Sequence, residues 1–260
     1  MVAVDVDELT VKVQDVYRHV AEEPDGAYHF ELGRGLADRL GYDSGVMDRV
    51  PAEAVESFAG VGHFFDLACL IDGEHVLDLG SGSGTDAFVA AQLVGPSGRV
   101  LGVDFTTEQL AKAQRTARTA GLTHVEFRMG RIESLPVDDG TFDCVISNGV
   151  INLSPDKDVV FREAARALRP GGRLALADIV SERPLTEGIA CNADLWASCI
   201  GGAVQIDAYR ANIEDAGLRI ELVRDHPEYR FLSGSARGAT DTYGIRSISL
   251  LAVKPDRSGR

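Results

Sequence analysis

The chain predicts an α/β fold: a seven-stranded, mostly parallel sheet with an antiparallel last strand and helices on both faces. Three observations carry this expectation. Strand-like and helical segments alternate from about residue 75 to residue 180, a rhythm that demands right-handed crossovers between parallel strands. The first strand runs directly into a loop with glycines at 80, 82 and 84, and that loop opens a helix. After residue 181 two further apolar segments remain, enough to close the sheet at one edge.

The elements follow in order. VDELTVKVQDVYRHVAEE (6–23) has apolar positions three and four residues apart and reads as a helix. Residues 24–50 contain Pro24 and five glycines and read as a loose connector. Short helical pieces are expected at Pro51–Phe58 and His63–Leu70. HVLDLG (75–80) is a strand, and TDAFVAAQLV (85–94) is a helix stopped by Gly95-Pro96. RVLGVD (99–104) is the second strand, followed by the helix TTEQLAKAQRTARTAG (106–121) with its terminal glycine. HVEFRMG (124–130) and FDCVISN (142–148) are strands, DKDVVFREAARALRPGG (156–172) is a helix with its stop, and RLALADIV (173–180) is the fifth strand. Residues 185–203 read as a helix with a glycine-rich end, and 206–218 as an amphipathic helix. Two strands, within 218–231 and 243–254, are separated by the loop LSGSARGATD (232–241). There is no repeat and no low-complexity tract.

Composition narrows the class of partner. With 260 residues and a net charge of −14, the chain repels nucleic acid and anionic membrane surfaces. A small molecule is the expected partner. No apolar stretch approaches the roughly 20 residues that span a bilayer. The acidic start MVAVDVDELTVKV lacks the basic and apolar regions of a secretory signal, so a cytoplasmic location is expected. Cys69, Cys144, Cys191 and Cys199 show neither CxxC pairing nor zinc-like spacing and read as free thiols; Cys144, inside a strand, reads as a core residue. Nothing in the sequence requires a particular oligomeric state.

VLDLGSGSGTD (76–86) carries the chemistry. Gly80, Gly82 and Gly84, with Ser81 between them, let the backbone approach a ligand that a Cβ would exclude. The dinucleotide fingerprint needs a further glycine where Thr85 stands, which disfavours a nucleotide-dependent oxidoreductase. Asp78 precedes the first glycine, Asp104 ends the second strand, and Glu133 follows the third. An acid at Asp104 suits a ribose diol. Three acids at successive strand ends fit a ligand with an amine and a positive centre, and S-adenosylmethionine (SAM) has both.

At these motifs the chain resembles the class I SAM-dependent methyltransferases, and more narrowly the arsenite methyltransferase family. The resemblance runs from about Leu40 to Val204 and rests on LGY (40–42), VLDLGSGSGTD (76–86), GRVLGVDFT (98–106), VEFRMGRIESLP (125–136), ISNGVINLSPDK (146–157) and CIGGA (199–203). It implies a Rossmann-like class I methyltransferase fold with an N-terminal helical cover. The implied organisation is a cap at 1–70 and a SAM-binding domain at 71–260 with an acceptor lid around 181–217. It also implies that Gly80–Gly84 hold the methionine part of SAM and that Asp104, with Phe105 and Thr106 beside it, binds the ribose. Ile132 and Glu133 would flank the adenine, and Asn148 would approach the methionine side.

The acceptor half departs from the family pattern. Two positions where family members carry arsenic-binding cysteines hold Val61 and Gly149, and only Cys199 remains. Trivalent arsenic prefers several thiolates. His63, beside Val61, is a candidate base or polar contact, and Tyr28-His29-Phe30 a candidate part of the cover. Trp196 with Leu195 more often indicates core packing than a substrate wall, and the sequence does not separate the two readings. The leading expectation is methyl transfer to a small molecule not held by three thiolates, with Cys199 and His63 on the acceptor side. The alternatives are arsenite methylation using Cys199 and exogenous thiols, and a non-catalytic SAM-binding protein. The absent side chain of Gly149 is expected to leave room beside the methyl group.

Overall fold

The computed structural model describes residues 5–192, 195–196, 200–232 and 234–256. Seven strands, β1 (His75–Leu79), β2 (Arg99–Asp104), β3 (Val125–Met129), β4 (Phe142–Asn148), β5 (Leu168–Val180), β6 (Arg219–Asp225) and β7 (Arg246–Val253), form one sheet in the order β3-β2-β1-β4-β5-β7-β6. The first five pair parallel with one another. β7 runs antiparallel between β5 and β6. The expected fold is therefore present, and the strand order reverses between β1 and β4, where ligands gather in open α/β sheets.

The apolar runs of the central strands follow from burial on both faces. Cys144 and Ile146 of β4 point into one core and Val145 into the other, as side-chain alternation requires. The first face is covered by α1 (Val6–Glu22), α4 (Ala52–Val55), α6 (Thr85–Val94) and α7 (Thr107–Thr119). The second is covered by α8 (Lys157–Ala167) and α10 (Ile206–Asp215). α1 starts where the Asp5 carboxylate accepts the N–H groups of Asp7 and Glu8 at 3.0 Å. Its stripe Leu9, Val13 and Val20 is buried. Two side chains of α7 hold it down: Gln109 Nε2 donates to Tyr17 O at 2.8 Å and Lys112 Nζ to Ala21 O at 3.2 Å.

Four expectations are corrected. The connector at 24–50 contains two helices, α2 (Gly33–Leu40) and α3 (Ser44–Met47). Gly41 ends the first in the left-handed region, at φ 91°. The helix read over 156–172 stops at Ala167, and β5 begins at Leu168, with a register shift in its pairing to β4 between Phe142 and Cys144. A bulge there absorbs the Pro170-Gly171-Gly172 break that reads as a helix stop. Within 185–203, α9 (Glu187–Ala190) ends at Cys191, and Asn192 Oδ1 accepts Leu195 N at 3.1 Å, a side-chain bond that competes with a continuous helix. The supposed loop at 232–241 gives way to α11 (Gly234–Tyr243). The remaining short helix is α5 (Phe65–Ala68). No helix among the described residues is long and apolar enough to cross a membrane.

Candidate active site

Between the carboxyl ends of the strands and α1 lies a cleft built from the glycine loop upward. Gly80, Gly82 and Gly84 have φ of 65°, 51° and 94°, a region that L side chains rarely adopt. Packing makes two of them obligatory. A Cβ on Gly80 would overlap Val150, and one on Gly84 would lie 2.7 Å from the Phe127 ring. Gly82 has only Gln109 nearby, at 3.6 Å, so its bare backbone faces the cleft.

Three carboxylates line this end. Asp78, at the close of β1, is 2% exposed, and its Oδ2 has no hydrogen-bond partner. Burial, reinforced by Asp86 and Asp104, pushes its carboxyl well above the usual range. Asp104 accepts Gly82 N at 2.9 Å and Thr106 N at 2.8 Å. Burial raises it too, against the opposing pull of those bonds. Asp86, at the start of α6, is pushed by burial to about 6, while bonds from Tyr42 and Asn148 resist the shift. Among the described residues, no Lys, Arg or His lines the glycine-loop end. A pyrophosphate would meet only like charge there, whereas a ligand carrying an ammonium or a sulfonium completes the site.

The other end of the cleft has an apolar wall of Leu9 and Val13 from α1, with Ile132, Val150 and Leu153. Glu133 sits at its rim, where Ser154 Oγ donates to Glu133 Oε1 at 2.6 Å and Arg131 lies 3.5 Å from Oε2. The two ends share Gly80, Asp104 and Phe105 and together suit an elongated ligand with a planar apolar group.

Asn148, which ends β4, lines the cleft, but its amide is engaged on every side. Its Oδ1 accepts Val61 N at 2.7 Å and Gly62 N at 3.3 Å. Its Nδ2 lies 3.0 Å from Tyr42 Oη, 3.0 Å from Asp86 Oδ2 and 3.1 Å from Gly62 O. The Tyr42 hydroxyl in turn donates to Asp86 Oδ1 at 2.6 Å. The Asn148 amide thus holds the chain at Val61-Gly62 and clamps it beside the glycine loop. Ser247 Oγ holds the same stretch from below, donating to Val61 O at 2.6 Å. Gly149 follows at φ 75°, and a Cβ there would lie 3.1 Å from Val61 Cγ1. The space expected beside Gly149 is thus already occupied by the Val61 side chain.

The expected cofactor residues Asp78, Gly80, Ser81, Gly82, Asp104, Phe105, Thr106, Ile132, Glu133 and Asn148 all line this one cleft, and Gly84 turns the loop behind it. His63 does not line it. Its ring packs edge-on against Tyr42 with centroids 5.0 Å apart and sits 3.4 Å from Asp66. Burial lowers its pKa, Asp66 opposes, and Arg224 and His226 lower it further. Cys199 lies outside the described residues. Cys144 is fully buried in β4, its thiol pushed up by burial to about 12. Tyr28 and Phe30 stack 5.8 Å apart, Phe30 stacks 6.1 Å from Tyr17, and neither lines the cleft. The sequence reading missed Tyr42, Asp86, Gln109 and the roof residues of α1. Tyr42 lay within the quoted LGY, and Asp86 within the quoted glycine motif.

A family profile described as a methyltransferase domain matches residues 70–217, more than half of the chain. The chain belongs to the class I SAM-dependent methyltransferases. Its cofactor is SAM, in keeping with the carboxylate-lined cleft. Among methyltransferases of known structure, it superposes on an arsenic (III) S-adenosylmethionine methyltransferase from Chlamydomonas reinhardtii with a TM-score of 0.68 and 33% identity, covering 83% of this chain and 74% of that one. Arsenite methyltransferases from Halobacterium salinarum and Aquipseudomonas alcaligenes are 40% and 53% identical over 198 and 142 residues. These alignments cover 76% and 52% of this methyltransferase but 50% and 41% of the relatives, so the chain spans about half the length of the curated relatives it matches or less. A geranyl diphosphate C-methyltransferase from Streptomyces coelicolor, 19% identical with a TM-score of 0.66 over 94% of this chain and 98% of that one, shares the fold alone.

Proposed function

We propose that this methyltransferase transfers the methyl group of SAM to a small-molecule acceptor that is not held by three thiolates. The observation that carries this reading is the placement of Val61, whose Cγ1 lies 3.1 Å from where a Cβ on Gly149 would stand, so the two positions where the resemblance expects cysteines are neighbours that carry no thiol. Among the described residues no cluster of His, Cys, Asp and Glu is arranged to hold a metal ion.

SAM supplies an electrophilic methyl carbon on a sulfonium. In this reading Asp78 accepts from its ammonium group, Gly80–Gly84 give backbone approach to the methionine part, Asp104 takes the ribose diol, and Ile132 and Glu133 flank the adenine. α1 roofs the cleft and excludes water, so residues 1–70 act as a cap on the 71–260 domain, with 181–217 as the acceptor lid. In-line displacement needs alignment above all. A soft lone pair on sulfur or selenium then needs no general base, whereas a hydroxyl does. The clamp on Val61-Gly62 supplies a fixed wall against which an acceptor is aligned.

The arsenite methyltransferases among the relatives support a second reading, methylation of As(III) bound by Cys199 and exogenous thiols. One mass-spectrometric assay separates the two. Purified protein is incubated with SAM and either arsenite plus glutathione or a panel of thiol, selenide and phenol acceptors, following S-adenosylhomocysteine and methylated product. Turnover confined to arsenite overturns the first reading, and turnover confined to the organic panel overturns the second.

A further inference from the structure

A buried ammonium group lies directly behind the cofactor cleft. Lys157, the first residue of α8, is 4% exposed. Its Nζ donates to Asn152 O at 3.0 Å and to Ser154 O at 2.7 Å, two carbonyls of the turn that carries Leu153 and Ser154 into the cleft wall. The same Nζ stands 4.7 Å from the centre of the Trp196 ring, within the range over which an aromatic face attracts a cation. Trp196 is tied in turn by its indole N–H to Ala190 O at 2.7 Å. A Cβ on Gly202 would overlap Asn152 O, the carbonyl that Lys157 already holds. Burying an ammonium is costly unless its protons are matched, and here two backbone carbonyls and an indole face match them.

On the cleft side the line continues. Ser154, whose carbonyl Lys157 binds, donates its hydroxyl to Glu133 at the rim of the cleft. A continuous set of contacts therefore runs from Glu133 through Ser154 and Lys157 to Trp196. We propose that Lys157 is a positioning residue that couples occupancy of the cofactor cleft to the placement of the Trp196 indole and the Gly201-Gly202 turn. The coupling rests on the cofactor cleft and not on which acceptor is methylated. A ligand that engages Glu133 or Leu153 shifts the turn, the turn carries the two carbonyls, and the ammonium carries the indole with it. The charged groups that act on Lys157 are Asp178, Glu133 and Asp156; burial outweighs them and brings the amine down to about 8, so its charge is held by this environment and is sensitive to it.

Trp196 is the only tryptophan in the chain, so its emission reads the far end of the link directly. Calorimetric titration of the full chain with S-adenosylhomocysteine, run beside tryptophan emission, tests the coupling. The expected result is a change in Trp196 emission that saturates with binding in the wild type. Lys157→Met should bind about tenfold more weakly and lose the emission response, and Lys157→Arg, which keeps a cation over the indole, should restore it. Wild-type protein that binds with no change in emission overturns the proposal, as does Lys157→Met with wild-type affinity and response. If Lys157→Met does not fold, the wild-type and Lys157→Arg titrations decide alone. Failure of the wild type to bind S-adenosylhomocysteine at all overturns the cofactor assignment and the link together.

Discussion

Val61 Cγ1 lies 3.1 Å from the point where a Cβ on Gly149 would stand. Two positions 88 residues apart in sequence are thus neighbours in space, on the wall beside the glycine loop. Cysteines placed at both would bring two sulfurs together. The double variant Val61→Cys/Gly149→Cys is expected to bind As(III) at least tenfold more tightly than the wild type, measured by equilibrium dialysis with elemental mass spectrometry. It should also lose about 1–2 kcal/mol of stability, because Gly149 sits at φ 75°, where an L side chain is strained. Unchanged As(III) binding would mean that these positions do not form the acceptor wall.

Asp78 is a buried carboxylate with an oxygen left for a ligand, which gives it opposite effects on the empty and the loaded protein. Removing its charge relieves repulsion with Asp86 and Asp104 but takes away the proposed ammonium acceptor. Asp78→Asn is therefore expected to raise the melting temperature of the ligand-free protein slightly and to weaken SAM binding about 10- to 100-fold, the loss of one charged hydrogen bond or a little more. Calorimetry and thermal denaturation on the same sample read both effects. Undiminished SAM affinity would remove Asp78 from the cofactor site.

Tyr42→Phe should be costly for one lost oxygen. It leaves Asp86 Oδ1 without its 2.6 Å donor and deprives Asn148 of one partner. A buried group stranded in this way costs about 1–3 kcal/mol. Chemical denaturation should show that loss, with Asp86 pushed further upward from about 6. A variant as stable as the wild type would show that the hydroxyl contributes nothing to the clamp.

Asp178 gives a pH signature. Burial raises it to about 6, while bonds from Tyr209, Ile179 and Asn152 and the charge of Lys157 resist. The folded protein keeps this proton between about pH 4 and pH 6, where the unfolded chain loses it. Its contribution to stability is therefore fully present below about pH 4 and is lost as pH rises through 6. In melting curves recorded from pH 4 to 7, Asp178→Asn should lack that loss, so the stability difference between wild type and variant shifts against the wild type by about 2 kcal/mol across the window. A difference that stays flat with pH would show that Asp178 titrates normally.

The parts of this molecule that announce themselves in sequence are those whose physics is local. β1, β2 and β4 are apolar runs because both of their faces are buried, and the glycine loop needs positive φ at Gly80, Gly82 and Gly84. Asp104 ends β2 and Glu133 lies four residues beyond β3, so their place at the cleft could be counted along the chain. Asn148 shows the limit. Its position at the cleft was legible, but its five polar contacts are with Tyr42, Val61, Gly62 and Asp86, and no local period records partners so distant. α1 was legible as a helix from its spacing, yet its role as a roof depends on Gln109 and Lys112 of α7. α11 was hidden for another reason. The glycines and serines of 232–241 read as loop by composition.

The clamp around Asn148 also bears on how the protein comes to be made. Asn148 and Tyr42 are separated by 106 residues, Asn148 and Val61 by 87, and Asp86 and Tyr42 by 44. Ordering these stretches closes three long loops, and that entropy is repaid only when every member is in place. Because β4 is synthesised after Tyr42, Val61, Gly62 and Asp86, a nascent chain can complete the glycine loop beside β2 well before it can build the clamp on Asn148. The clamp is then the late, chain-length-dependent product of folding, and a ribosome-bound chain stalled before residue 148 would carry the glycine loop without it.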